Sequence, residues 1–243
     1  MQLLISVRNA DEAALALAAG ADIIDLKDPD SGALGALNAG DTRQVLQMVN
    51  GRVPVSATVG EDHPTLEALL DPIRLRIALG VDIIKVSVSG LFYQNDFMSE
   101  ISSLACGQAK FVAIFFADSE PDFGLLPRLH QAGFWGAMLD TRNKHKNLLQ
   151  NRTSGYLQHF ITLCGQYGLE TGLAGSLQPQ HIDKLAEINA TYLGFRGGVC
   201  ENSSRIQSLS RMRVEAAKIM LHKHNRHGCK SQQGVGYELR ASP

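Results

Sequence analysis

The feature of this sequence that most constrains its fold is an alternation of short apolar runs with longer segments of helical period, which continues to about residue 223. Short runs rich in Val, Ile and Leu predict buried strands, and the segments between them predict amphipathic helices. Strands and helices that alternate in this way build a parallel sheet covered by helices. The eight predicted strands are residues 2–7, 22–27, 53–58, 82–88, 110–116, 136–140, 169–174 and 191–196.

Two architectures accommodate these eight units, a closed barrel and an open doubly wound sheet. The open sheet usually carries a G-x-G-x-x-G phosphate loop after its first strand, and "ISVRNADEA" contains none. The stretches "AAGADIIDLK" at 18–27 and "ALGVDIIKVS" at 78–87 resemble each other, which indicates repeated modules of one closed structure. A length of 243 residues also suits a single barrel. We therefore predict an α/β protein, a single-domain (β/α)8 TIM-type barrel.

The barrel domain is expected to span residues 1–223, with residues 224–243 as a polar, flexible tail. The tail, "HNRHGCKSQQGVGYELRASP", is rich in Gly and aperiodic, which is typical of a solvated segment. Four side chains that could bind a metal lie around its start, but a solvated tail explains them more simply than a metal site. They are His222, His224, His227 and Cys229.

Composition limits the partners of the chain. A net charge of −1 and a pI near 6.7 provide no basic surface for nucleic acid. The N-terminal apolar run is too short for a signal peptide or a membrane span, so no membrane partner is expected. The cysteines form no C-x-x-C pair, which favours a reducing compartment and therefore a cytoplasmic protein. With nucleic acid and membrane not expected as partners, we predict a small-molecule partner. Assembly into a homo-oligomer stays open as an alternative. The four cysteines are Cys106, Cys164, Cys200 and Cys229.

Lysines and carboxylates lie at the ends of several predicted strands, where a barrel carries its active site. Lys27 ends the second strand, with Asp25 on the same side of it. Lys85 lies in an otherwise apolar run, where a buried amine is costly unless it is paired. Asp140 ends the sixth strand, and Lys144 follows it. Burial or a neighbouring cation lowers the pKa of a lysine and makes its amine nucleophilic.

Simple ion pairs are the competing explanation for these residues. Asp25 with Lys27, and Asp82 with Lys85, would each account for one lysine at a strand end. Several lysines at one mouth favour chemistry instead, with the carboxylates moving protons in imine and enamine steps. On this interpretation Lys27 forms the imine, and Lys85 is the general acid or base.

Two glycine-containing loops follow the last two strands, the usual place of a phosphate site in a barrel. They are "LAGSL" at 173–177 and "FRGGV" at 195–199. Glycines allow backbone N–H groups to approach an anion. Arg196 either adds charge there or forms an ion pair inside the barrel. The phosphate-binding candidates are Gly175, Ser176, Gly197 and Gly198. Together, loops and lysines predict a phosphorylated carbonyl substrate processed through a Schiff base.

Six stretches, taken together and in order, resemble the (5-formylfuran-3-yl)methyl phosphate synthase family, over about residues 2–222. Members of that family are (β/α)8 barrels that condense two molecules of glyceraldehyde 3-phosphate. The product is a furan with an aldehyde and a phosphomethyl group, formed with loss of one phosphate and two waters, for methanofuran-type carriers. The six stretches are "ADIIDLKDPDSGALGA" (21–36), "VSATVG" (55–60), "DIIKVSVSG" (82–90), "AMLDT" (137–141), "LAGSL" (173–177) and "GFRGG" (194–198).

The resemblance implies a role for each strand-end residue. Lys27 falls on the position of the Schiff-base lysine and Lys85 on that of the proton acceptor. Asp25 and Asp140 occupy the acidic positions. Neither a metal nor another cofactor is implied, and the substrate is a phosphorylated triose.

One loop departs from the family pattern. After "LDT" a lysine followed by small, Gly-containing sequence is expected, and this chain has "RNKHKNLL". Lys144 keeps the expected spacing and receives the role, although Lys146 is also present. Two other functions stay open: a class I aldolase or isomerase acting on another sugar phosphate, and a non-catalytic barrel that binds a phosphorylated metabolite.

Overall fold

A computed structural model describes residues 1–107 and 109–231 of the chain, with side chains up to residue 225. Eight parallel strands pair in sequence order and close into a barrel, which confirms the predicted fold class. Every strand lies within the run that predicted it. The strands are β1 Gln2–Val7, β2 Ile23–Leu26, β3 Val55–Thr58, β4 Ile83–Ser87, β5 Lys110–Phe116, β6 Gly136–Asp140, β7 Glu170–Leu173 and β8 Tyr192–Phe195.

Helices connect the strands and cover the barrel. Side-chain caps start several of them: the Asn9 Oδ1 atom accepts the N–H of Glu12 at 2.9 Å, and Thr65 caps a later helix in the same way. The helices are α1 Ala10–Ala18, α2 Ala39–Val49, α3 Leu66–Leu79, α4 Asn95–Ala105, α5 Leu126–Gln131, α6 Leu148–Asn151, α7 Ser154–Gln166, α8 Ile182–Ala186 and α9 Arg211–Ser231.

Two apolar clusters hold the layers together. The larger lies between the barrel and its helices, and the smaller fills the barrel interior with side chains such as Leu4, Ile83, Met138 and Tyr192. The alternation of inward and outward side chains along each strand produces this division. Because the interior is packed with side chains, we expect a small molecule to bind at the carboxyl ends of the strands, where barrels of this kind carry their sites.

The last helix runs across the predicted domain boundary. The boundary at 223 falls inside α9, which continues to Ser231. His224, placed in the tail, bonds Asp183 in α8 with its Nε2 atom at 2.7 Å. The side chains of His227 and Cys229, and all of residues 232–243, lie outside the described residues. Within the part of the chain that the structure describes, no helix is long and apolar enough to cross a membrane.

A buried ion pair ties the two ends of the barrel sheet together. Arg196, directly after β8, contacts the carboxylate of Glu12 in α1 with both terminal nitrogens, one of them at 3.2 Å. Its Nη1 atom also donates to the carbonyl oxygen of Ser6 in β1 at 3.1 Å. The Arg196 and Glu12 side chains are only 9% and 7% exposed. Of the two roles predicted for Arg196, the structure therefore shows the ion pair.

Arg196→Met should lower the free energy of unfolding by about 3–5 kcal/mol, because it leaves the buried Glu12 carboxylate without its main partner. Urea denaturation followed by circular dichroism measures this change. Arg211→Met is the matched control, because the Arg211–Glu215 pair lies on the exposed face of α9 and should contribute less than about 1 kcal/mol. Equal losses from both variants would contradict a closing role for Arg196.

Candidate active site

A lysine–carboxylate pair lies buried inside the barrel. The Lys85 Nζ atom is 2.6 Å from the Asp25 Oδ1 atom, and their side chains are 3% and 0% exposed. Strand register brings Ser6 and Ser56 level with Asp25 on the two neighbouring strands. Their hydroxyl groups donate to Asp25 Oδ2 and Oδ1, each at 2.7 Å. The buried carboxylate is therefore compensated by three donors, as a charge away from water requires.

A second carboxylate lies between two lysines. The Lys27 Nζ atom is 3.4 Å from Asp140 Oδ2, and the Lys144 Nζ atom is 3.0 Å from Asp140 Oδ1. The N–H of Thr141 donates to the same Oδ1 at 2.7 Å, and Lys144 also donates to the Thr141 carbonyl. Asp140 thus connects the amine after β2 with the amine in the β6 loop.

The ion pairs differ from those expected if each lysine paired locally. Lys27 does not pair with Asp25, because it lies just beyond β2 and its amine reaches across the mouth to Asp140. Lys85 does not pair with Asp82, because residues three apart on a strand point to opposite faces. Asp82 is exposed and accepts the N–H of Val55 at 2.7 Å. The competing explanation by local ion pairs was therefore wrong for both lysines, which contact carboxylates from other strands.

Burial and mutual repulsion change the ionisation of these groups. Burial is the largest cause lowering the pKa of Lys85; Asp25 opposes it, and the Lys27 charge adds to it. The pKa of Lys144 is lowered in the same way, by burial first and by Lys27 in addition. Burial would raise the pKa of Asp140, but the neighbouring lysine charges outweigh it and hold that pKa below its ordinary value.

These residues line one cavity of about 210 Å³ at the carboxyl ends of the strands. All nine residues selected from the sequence as site candidates reach it. Lys144 lines the cavity, whereas Lys146 is exposed and does not. The nine are Asp25, Lys27, Lys85, Asp140, Lys144, Gly175, Ser176, Gly197 and Gly198.

The glycine loops after β7 and β8 pack against each other at one side of the cavity. A Cβ atom on Gly198 would lie 2.0 Å from the Leu177 carbonyl oxygen, so only glycine fits. Gly175 has φ +108°, where a side chain is strained. In residues 1–107 and 109–231, no backbone oxygen accepts a hydrogen bond from the N–H of Gly175, Ser176, Gly197 or Gly198. The loops therefore offer uncommitted donors to an anion.

Sequence reasoning missed three residues of the site: Ser6 and Arg205, which line the cavity, and Ser56, which donates to Asp25. Ser6 and Ser56 gave a weak signal, as single polar residues in apolar strands. Arg205 gave none, because it lies in the irregular loop "ENSSRIQ" between β8 and α9. Its half-buried side chain lines the cavity, and its Nη2 atom donates to the Gly32 carbonyl in the β2 loop.

The site provides amines, carboxylates and N–H donors. No group of three or more His, Cys, Asp or Glu side chains suited to a metal ion occurs among the residues with described side chains. The chain is a closed (β/α)8 barrel with buried lysine–carboxylate pairs at the carboxyl ends of its strands. Barrels of this class carry their active sites at those strand ends.

The comparison with known proteins identifies the family. The chain belongs to the 4-HFC-P synthase family, whose sequence model matches residues 3–218. This result confirms the family that the sequence motifs indicated.

Named relatives agree with this family. The chain is 33% identical to the (5-formylfuran-3-yl)methyl phosphate synthase of Methanosarcina mazei, over 82% of this chain and 91% of that protein. It is 41% identical, over 89% of both chains, to a Methylorubrum extorquens protein whose name gives the same activity provisionally. Phosphoribosyl anthranilate isomerase from Thermus thermophilus has the same fold, with a TM-score of 0.65 at 14% identity, covering 92% of this chain and 99% of that one.

Asp25→Asn should lower the pKa of Lys85 further, because the Asp25 charge stabilises the Lys85 ammonium. An NMR titration of the lysine side-chain signals, with Lys85 assigned by substitution, measures this pKa. Asp82→Asn is the control and should leave it unchanged, since Asp82 bonds the Val55 N–H instead. An unchanged or raised Lys85 pKa in Asp25→Asn would contradict the assigned pairing.

Proposed function

We propose that this chain condenses two molecules of glyceraldehyde 3-phosphate into (5-formylfuran-3-yl)methyl phosphate, releasing one phosphate and two waters. The proposed reaction is of the lyase type, proceeds through a Schiff base on Lys27, and uses no cofactor. The observation that carries the proposal is the pair of buried lysine–carboxylate systems, Lys85–Asp25 and Lys27–Asp140–Lys144, in one cavity. Membership of the synthase family supports the product.

Lys27 suits imine formation because its amine contacts a proton carrier. Its Nζ atom attacks the substrate aldehyde or ketone, and the carbonyl oxygen leaves as water after protonation. Asp140 contacts both Lys27 and Lys144, so protons can pass between the two amines through one carboxylate. The iminium then draws electrons from the adjacent carbon and lowers the barrier to carbanion formation.

Lys85 suits the role of proton acceptor. A general base must be neutral near the working pH, and burial lowers the pKa of Lys85 in that direction. Asp25, fixed by the Ser6 and Ser56 hydroxyls, holds the amine in one position. Isomerisation of one triose, β-elimination of phosphate from the other, and aldol joining each remove a proton beside a carbonyl. One well-placed base serves all of these steps.

The glycine loops suit a substrate phosphate. Four N–H groups without a backbone acceptor belong to residues that line the cavity of the lysines: Gly175, Ser176, Gly197 and Gly198. Backbone donors of this kind bind phosphate without needing a charged side chain. We assign them to the phosphate that the product keeps.

Product stoichiometry tests this function. The purified chain, given glyceraldehyde 3-phosphate, should release one phosphate and form one furan, read by ultraviolet absorbance, for every two trioses consumed. Consumption of triose with no phosphate and no chromophore would assign the chain to the aldolase or isomerase class instead. No turnover at all would favour a binding barrel.

Lys144→Met should lower kcat/KM by at least about 100-fold, because the variant loses the amine that exchanges protons with Asp140. Lys146→Met is the matched control two residues away; its side chain is exposed and outside the cavity, so its kcat/KM should stay near that of the wild type. Initial rates of furan formation give both values. Equal effects of the two substitutions would remove Lys144 from the mechanism.

A further inference from the structure

We infer that Arg205 and Lys144 form a second anion site in the cavity, which binds the phosphate that the reaction releases. This inference rests on the proposed function, because only a reaction of two phosphorylated trioses needs two different phosphate positions. The inference adds Arg205, which no sequence pattern indicated. It assigns the retained phosphate to the glycine loops and the released phosphate to the cationic side chains.

The first argument is the charge balance of the cavity. Two carboxylates, Asp25 and Asp140, line it together with five cationic side chains. Four of the five cations have a carboxylate partner or share one. Arg196 pairs with Glu12, outside the lining, and Asp25 compensates one lysine. The five cations are Lys27, Lys85, Lys144, Arg196 and Arg205.

Arg205 and Lys144, in the loop after β6, carry the excess positive charge. Asp140 is divided between Lys27 and Lys144. Among the described side chains, no carboxylate lies within ion-pair distance of Arg205, whose guanidinium donates to the Gly32 carbonyl oxygen. A positively charged, partly buried cavity of this kind favours an anionic ligand.

The second argument is the position of Arg205 in the cavity. A Cβ atom on Gly197 would lie 3.4 Å from the backbone N of Arg205, so the Arg205 loop packs directly against the glycine loop after β8. The Arg205 side chain extends from there to Gly32 in the β2 loop. After burial and the Lys27 charge, the Arg205 charge also lowers the pKa of Lys144. Arg205 therefore lies beside the glycine loop after β8, in the cavity that Lys144 also lines.

The third argument is the chemistry of phosphate release. A base removes the proton on C2 of glyceraldehyde 3-phosphate, and the electron pair forms the C2–C3 double bond. The C3–O bond then breaks, and its electron pair leaves with the phosphate. Charge grows on the leaving oxygen, so fixed cations stabilise this transition state more than neutral N–H groups do. A guanidinium also matches two phosphate oxygens at once.

Arg205→Met tests the inference through two readouts. At saturating glyceraldehyde 3-phosphate, phosphate release should fall by about 100-fold, whereas borohydride trapping of substrate on Lys27 should proceed as in the wild type. Inhibition by inorganic phosphate should weaken at least about tenfold, because the released product loses its site. Arg205→Lys keeps the charge but loses the planar guanidinium. Its phosphate release and its inhibition by phosphate should lie between those of the wild type and those of Arg205→Met.

Arg211→Met is the control, since Arg211 pairs with Glu215 on α9 away from the cavity. It should leave all readouts unchanged. If Arg205→Met releases phosphate at the wild-type rate, the inference is wrong. If trapping on Lys27 falls in parallel with release, Arg205 acts only by holding the β2 loop through Gly32, which also overturns it. A wild-type chain that forms no Lys27 adduct would instead refute the proposed function.

Discussion

The buried ion pair between Lys85 and Asp25 is the interaction on which the rest of the site depends. An ammonium and a carboxylate inside a barrel are stable only when both are compensated. Strand register provides this for the carboxylate, because the pairing of β1 and β3 with β2 brings Ser6 and Ser56 to either side of Asp25. The same geometry that satisfies Asp25 keeps a low-pKa amine in one place.

In the proposed mechanism the cavity uses two amine systems that differ in burial and in partners. Lys85 has a carboxylate of its own, which suits repeated proton removal at one position. Lys27 shares Asp140 with Lys144, which suits a group that must gain and lose protons while it forms and releases an imine. The charge of Lys27 is also one of the causes that lower the pKa of Lys85. The two systems are therefore coupled electrostatically.

The sequence predicted the barrel and the position of the site because both follow from local patterns. Apolar runs locate strands, and the carboxyl ends of parallel strands meet at one mouth. It did not predict the ion-pair partners, since Lys27 reaches Asp140 across the mouth, 113 positions along the chain. Strand register and barrel closure decide such contacts. Arg205 was missed for a related reason: its loop has no periodicity, and only packing against Gly197 brings it to the cavity.

Location of the covalent adduct tests the account most directly. The chain is incubated with glyceraldehyde 3-phosphate and borohydride, digested, and read by peptide mass spectrometry. The account predicts a reduced substrate adduct on the peptide that contains Lys27, absent in Lys27→Ala and retained in Lys85→Met. Lys85→Met should still form the adduct while losing product formation, because its task is proton removal. An adduct on Lys85 or Lys144 with Lys27 unmodified, or no adduct in a chain that forms the furan, would contradict the account.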